Sequence, residues 1–255
     1  MTEPGPTVAV VFPELLGTYG DGGNVTVLRQ RLLWRGVAPE FVTVGLADPV
    51  PSGCDLYLLG GGEDDAQAHA LAALRRSPGL TVAVEGGAAV LAVCAGLQML
   101  GSSITGRDGT VQDGLGLLDA DTSHRATRAV GDVVATASPE LGLGQLIGFE
   151  NHAGGTRLGP GARPLATVRK GVGNGGPGTG SATPHDEGAV QGRIVATYLH
   201  GPVLARNPAL ADLVLSWALG RHLEPLPDDV AASVGEPVHQ PLGARVRQAL
   251  RLGRR

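Results

Sequence analysis

Cys94 and His200 are the two residues of this chain whose types and settings suit thiol-based acyl transfer. Cys94 ends the apolar run Ala89-Val-Leu-Ala-Val93 and is followed by the small residues Ala95 and Gly96 and then a helix-like segment, Leu97-Gln-Met-Leu100. A cysteine at such a strand-to-helix turn is expected to be exposed, to sit at a helix N-terminus that favours the thiolate, and to have backbone N–H groups beside it. His200 follows the strand pattern Arg193-Ile-Val-Ala-Thr-Tyr-Leu199 and precedes Gly201 and Pro202, which places its imidazole at a strand end as well. Cysteine plus histidine is the minimum for the chemistry, because the base takes the thiol proton and then protonates the leaving amine. Each residue alone has a plainer reading, a buried small hydrophobe or a satisfied structural histidine. The pairing at two strand ends is the stronger signal. An oxyanion needs two N–H donors; the amide of Ala95 is one candidate, and Gly61 or Gly62 the other, unless those glycines only make a tight turn.

The elements that must position these residues alternate along the chain. Thr7-Val-Ala-Val-Val-Phe12 is a short apolar run of the kind buried on both faces of a sheet. A glycine-rich loop through Gly17–Gly23 follows, then helical spacing of Val25, Leu28, Leu32 and Leu33 from Asn24 to Trp34. Further strands are expected at Glu40–Val44 and Asp55–Leu59, and a helix at Ala66–Arg75 behind the loop Gly60-Gly-Gly-Glu-Asp-Asp65. This order predicts an α/β fold with a mostly parallel sheet flanked by helices. Sites in open α/β sheets gather outside the carboxyl ends of strands, so the Gly60–Gly62 loop and Cys94 should lie together. From Gly114 to Val168 the pattern turns to short β-like pieces, Asp132–Thr136 and Gln145–Phe149 among them, which predict a small antiparallel region. Residues 170–188 read as a polar surface loop. A helix over Pro208–Leu219 closes the core, giving one domain over residues 1–220 and a Pro-punctuated basic tail over 221–255, with partner docking as one use for it.

Composition narrows the function classes. The 255 residues carry a formal net charge of −4, and with a pI near 6.0 nothing favours nucleic acid as the main partner. The start of the chain lacks the basic and apolar regions of a secretory signal, and the apolar stretch from Leu80 to Leu100 is interrupted by Glu85 and several glycines, so no transmembrane segment is expected. Two cysteines without regular spacing give no disulfide framework and no metal site, which fits a cytoplasmic protein. Cys54 reads as buried and inert.

Four blocks, Tyr57-Leu-Leu-Gly-Gly-Gly62, Val93-Cys-Ala-Gly-Leu-Gln98, Gly148-Phe-Glu-Asn-His152 and Thr197-Tyr-Leu-His-Gly-Pro202, resemble in order and spacing the class I glutamine amidotransferases of the cobyric acid synthase-like (CobB/CobQ) branch. Tyr19-Gly-Asp-Gly-Gly-Asn24 and Leu28-Arg-Gln-Arg31 resemble its GatD-type glutaminase subunits in particular. The resemblance spans roughly residues 7 to 220. It implies a flavodoxin-like class I amidotransferase fold, with Cys94 attacking the side-chain amide of L-glutamine to give a thioester and ammonia, and His200 as general acid and base. Arg128, in Ala126-Thr-Arg-Ala-Val-Gly-Asp132, matches the family's glutamine-holding arginine; a solvated surface charge is its plain alternative. Glu150 and His152 either border the glutamine pocket or steady the loop after Phe149. No cofactor is implied in this chain, ATP and Mg being expected on a MurT-like Mur-ligase partner that forms a heterodimer with it and amidates the D-glutamate α-carboxyl of lipid II. Most class I domains place a Glu two residues after the catalytic His; here Pro202 stands there. The resemblance implies that an aspartate of the partner supplies the third triad residue, so the isolated chain should be a weak glutaminase. Two other assignments are kept beside this one: a glutaminase serving a different amidoligase, such as a cobyrinate amidase, and a non-catalytic scaffold that has kept the fold.

Overall fold

In the computed structural model, residues 3–17, 20–175, 186–224 and 226 are described. One compact unit runs from Met1 to Leu223 and a second from Glu224 to Arg255. The expected tail therefore lies almost wholly outside the described residues, as does much of the expected 170–188 loop.

In chain order the elements are β1 (Glu3–Val11), α1 (Gly23–Leu33), β2 (Val37–Val44), β3 (Leu56–Leu59), α2 (Asp64–Arg76), α3 (Gly79–Glu85), β4 (Ala89–Val93), α4 (Ala95–Leu100), β5 (Ser103–Thr105), β6 (Val111–Asp113), β7 (Ala120–Ala137), β8 (Gln145–Leu158), β9 (Ala166–Lys170), β10 (Asp186–Glu187), β11 (Ala189–Gln191), β12 (Ile194–Thr197), α5 (Val203–Arg206) and α6 (Pro208–Leu219). The first sheet has the order β11-β12-β4-β3-β1-β2. All its pairings are parallel except β11 with β12. Its central strands β3, β4 and β12 are buried at every position. That is why they read as continuous apolar runs and not as alternating ones. Each large apolar side chain so enclosed contributes about 1.5–3 kcal/mol through loss of water contact.

The second sheet, β10-β9-β7-β5-β6 with β8 on β7, is larger than the short pieces in the sequence predicted. β7 and β8 are 18 and 14 residues long and pair antiparallel along most of their length. A register shift between His124 and Ala129 breaks the period-two pattern, which is why only fragments are visible in the sequence. Among the described residues two isolated backbone bridges link the sheets: Phe149 with His200, and Arg163 of the β8–β9 connection with Val190 of β11; the first lies at the site. Gly148 is required beside the first bridge, since a Cβ there would stand 2.7 Å from Leu199 Cβ.

Helices α1 and α6 are joined by a side-chain fork. Arg31 Nε and one terminal nitrogen donate to the two Asp212 oxygens at 2.7 and 2.5 Å. Arg35 adds a contact to the same carboxylate at 3.0 Å. Among the described residues no helix is long and apolar enough to cross a membrane.

Candidate active site

The strand order decides the site. β12, β4, β3 and β1 are successive neighbours, so the segments leaving their carboxyl ends carry His200, Cys94, Gly60–Gly62 and Asp21 to one edge of the sheet. Two non-glycine residues have left-handed φ among the described residues, Phe12 at 49° and Cys94 at 50°. They end β1 and β4. Backbone held in this region costs of order 1–3 kcal/mol, and at Cys94 the turn (ψ −102°) swings the side chain out of the strand line as α4 begins. The Cys94 N–H donates to Thr197 O at 2.8 Å, and Gln98 N–H donates to Cys94 O at 3.1 Å, so the turn is tied to both β12 and α4. Gly96 must be small, because a Cβ there would lie 2.8 Å from Leu59 O.

Cys94 differs from the exposed thiolate that its sequence context predicts. It is 5% exposed, and burial, with the Asp21 carboxylate next in effect, pushes its thiol up to about 12. The Ala95 N–H and the Arg128 guanidinium act in the opposite direction and are outweighed. The α4 helix has only six residues, too little to overcome desolvation of the charged form.

His200 is 1% exposed. Its Nδ1 lies 3.1 Å from Asp21 Oδ2 and 3.3 Å from Oδ1. The expectation that no acid of this chain meets His200 is thereby corrected. The acid comes from the glycine-rich loop after β1 and not from the residue two places after the histidine. Asp21 Oδ2 also accepts the Gly61 N–H at 2.9 Å. Of the two glycines expected for the oxyanion hole, Gly61 thus has its N–H engaged by Asp21. Gly61 has another part in the site. A Cβ on it would stand 2.6 Å from His200 Cε1, 3.1 Å from Asp21 Oδ2 and 3.4 Å from Cys94 Cβ, so only hydrogen fits where the three side chains converge. Gly62 lines the cavity with Cys94, which leaves it and Ala95 as the oxyanion-hole candidates.

That cavity has a volume of about 500 Å³ and is walled by Cys94, Gln98, Arg128 and His152 among others. Arg128 reaches its rim from β7. Its Nε donates to Asn151 Oδ1 at 2.6 Å, and a terminal nitrogen lies 3.9 Å from Glu63. The lining therefore carries the Arg128 guanidinium and the Glu63 carboxylate side by side, with Arg107 and Asp64 also on the cavity wall. Glu150 and His152 are both buried and touch, Oε2 to Nε2 at 3.5 Å, but their other contacts differ. Glu150 accepts the N–H groups of Val172 and Gly173, both at 2.9 Å, and so steadies the turn after β9; the segment after Phe149, expected as a loop, continues as β8. His152 borders the cavity, stacks on Tyr198 with centroids 3.7 Å apart, and faces Gly154 O through Nδ1 at 2.9 Å.

Sequence reasoning missed a polar wall behind the nucleophile. Gln67 Nε2 donates to Gln98 Oε1 at 2.7 Å, and Gln98 Nε2 to the Tyr198 hydroxyl at 3.2 Å. Thr156 and Thr122 continue the chain. Gln98 lies within the Cys94 block, four residues on and therefore on the same helical face as the turn; that spacing was the available signal. Cys54 is buried, and burial pushes its thiol up.

The fold is that of the glutamine amidotransferases. A solved structure described as a glutamine amidotransferase superposes with a TM-score of 0.55 at 24% identity, over 83% of this chain and 98% of that one. Residues 7–208 match the CobB/CobQ-like glutamine amidotransferase domain. Among similar proteins, the lipid II isoglutaminyl synthase (glutamine-hydrolyzing) subunit GatD of Staphylococcus aureus is 34% identical over 84% of this chain and 85% of its own length. The subunit of the same name from Streptococcus pneumoniae is 31% identical over 83% and 80%. The chain belongs to the CobB/CobQ-like glutamine amidotransferase family, and its enzyme class is that of a glutamine amidohydrolase.

Proposed function

We propose that this chain is the glutaminase subunit of a heterodimeric amidating enzyme. It hydrolyses L-glutamine to glutamate and ammonia, and a MurT-like ATP-dependent ligase uses the ammonia to amidate the D-glutamate α-carboxyl of lipid II during peptidoglycan synthesis. The observation that carries this reading is the placement of Cys94 in a polar cavity whose rim holds Arg128 and Glu63. Those opposite charges match the α-carboxylate and α-ammonium of a free amino acid, the guanidinium being suited to a two-point hold on the carboxylate. The names of the two similar GatD subunits support the choice of acceptor. ATP and Mg belong to the partner in this reading.

The chemistry follows from the resting state of the thiol. As Cys94 sulfur attacks the side-chain carbonyl carbon of glutamine, its proton passes to His200. The carbonyl oxygen becomes an oxyanion facing the N–H groups of Ala95 and Gly62, donors that cost nothing to reorganise. His200 then gives its proton to the amide nitrogen, the C–N bond breaks, and ammonia leaves a glutamyl thioester. A water attacks the thioester with its proton going to His200; the C–S bond breaks and the thiol is restored as glutamate departs.

The test is covalent capture. Treatment with the glutamine mimic 6-diazo-5-oxo-L-norleucine is expected to label Cys94, as read by peptide mass, with competition by L-glutamine and loss of glutaminase turnover in step with labelling. Absence of labelling at Cys94, with or without the ligase present, would favour a scaffold and sink the reading.

A further inference from the structure

We propose that Asp21, a residue of this chain, is a carboxylate that positions His200. The inference rests on the glutaminase reading and deepens it. Its first support is contact: Asp21 is 5% exposed and His200 1%, with Oδ2 at 3.1 Å from Nδ1. An ionised carboxylate is costly to bury unless it is paired and hydrogen-bonded; its partners here are the His200 ring and the Gly61 N–H. A carboxylate at Nδ1 fixes the proton on that nitrogen, leaving the lone pair on Nε2 to act as base, and it stabilises the imidazolium formed when the thiol proton arrives.

The second support is that the whole loop is built against the segment that carries His200. Asp21 meets His200. Two residues on, a Cβ on Gly23 would fall 2.2 Å from Pro202 Cγ, so the glycine α-carbon packs directly on that ring. One residue further, Asn24 Oδ1 accepts the Leu204 N–H at 3.0 Å, and Asn24 is itself 3% exposed. Three successive contacts thus hold residues 21–24 along residues 200–204. Pro202, which has no acid to offer, is the residue against which the acid-bearing turn rests.

Asp21 has a plainer use, as a staple for the Gly61 N–H alone, and two variants separate the roles. Asp21→Asn keeps an acceptor for Gly61 and removes the charge; Asp21→Ala removes both. If Asp21 positions His200, glutamine hydrolysis by the full chain falls about 100-fold or more in kcat for Asp21→Asn, with KM within threefold of wild type and an unchanged melting temperature. The same loss persists when the MurT-like ligase is added. Two results overturn the proposal: Asp21→Asn within threefold of wild type while Asp21→Ala is impaired, which leaves only the staple, or recovery of wild-type turnover by Asp21→Asn on adding the ligase. If wild-type protein hydrolyses no glutamine, alone or with the ligase, the glutaminase reading itself fails and the proposal goes with it.

Discussion

Cys94 rests as a thiol, and this determines which group must start the reaction. Burial is the largest cause of its shift to about 12, and Asp21 adds to it. At neutral pH there is then no standing thiolate for the substrate to meet, so proton transfer to His200 must accompany attack. The consequence is measurable in the free chain. Below a pKa of about 12 the thiolate fraction rises about tenfold per pH unit, and the rate of a thiolate reagent follows it. Alkylation of Cys94 by iodoacetamide is therefore expected to climb from pH 7 to pH 9 without levelling, with the Cys94 and Cys54 peptides resolved by mass. A plateau below pH 8 would reveal a preformed thiolate–imidazolium pair and refute this account. The same buried carboxylate that raises the thiol is the one placed to stabilise the imidazolium, so Asp21 disfavours the charged nucleophile at rest and favours the charged base once the proton has moved.

At the scale of elements, β12 must hold His200 at a fixed height, and Glu187 of β10 takes part in this. Its Oε1 accepts the Thr197 hydroxyl and the Tyr198 N–H. Full burial pushes its carboxyl up from 4.5 to about 7, with Glu150 acting in the same direction. The folded chain then binds more protons than the unfolded one between those values. This contribution to stability is full below about 4.5 and is lost as pH rises through about 7. Glu187→Gln mimics the protonated form. Between pH 5 and 8 the unfolding free energy of the wild type, measured in urea, should fall by about 2–3 kcal/mol more than that of the variant; parallel curves would refute it. Much of this layer was legible in the sequence. The α6 helix is bounded as expected because Pro208 sits in its first turn and Gly220 takes φ 64° after its end. The central strands were legible because burial on both faces leaves continuous apolar runs. Asp21 was not, because its partner is set by strand order. Nothing in residues 19–24 tells that the loop after β1 reaches the end of β12, three places away in the sheet. The burial of Cys94 was hidden for the same reason, since it depends on what the other strand ends place around the turn.

Considered whole, the site lies at a seam. The first sheet supplies Cys94, His200 and the glycine loop; the second supplies Arg128 and Asn151. At the site the join runs through the backbone of His200 itself, whose N–H donates to Phe149 O at 2.8 Å while its carbonyl accepts the Phe149 N–H at 3.4 Å. Gly148 permits this approach, because a Cβ would meet Leu199 Cβ at 2.7 Å and Leu199 Cα at 3.2 Å. Both neighbours belong to a buried segment with nowhere to give, so an added side chain must push the sheets apart. Gly148→Val is therefore expected to cost about 1–3 kcal/mol of stability through overpacking. Its effect on catalysis should be larger than that cost implies. Displacing β8 moves His200 relative to Cys94 and Arg128 relative to the cavity, and misplacement of reacting groups by about 1 Å is enough for a loss near 100-fold. At a temperature where melting curves show both proteins folded, kcat/KM for glutamine should fall at least about tenfold in Gly148→Val. Wild-type kcat/KM in folded variant would mean that β4 and β12 hold the catalytic residues without help from the second sheet. A loss confined to the melting temperature would place Gly148 in packing alone. A fall in kcat/KM with the fold intact makes this bridge between the sheets part of the device that aligns the base with the nucleophile.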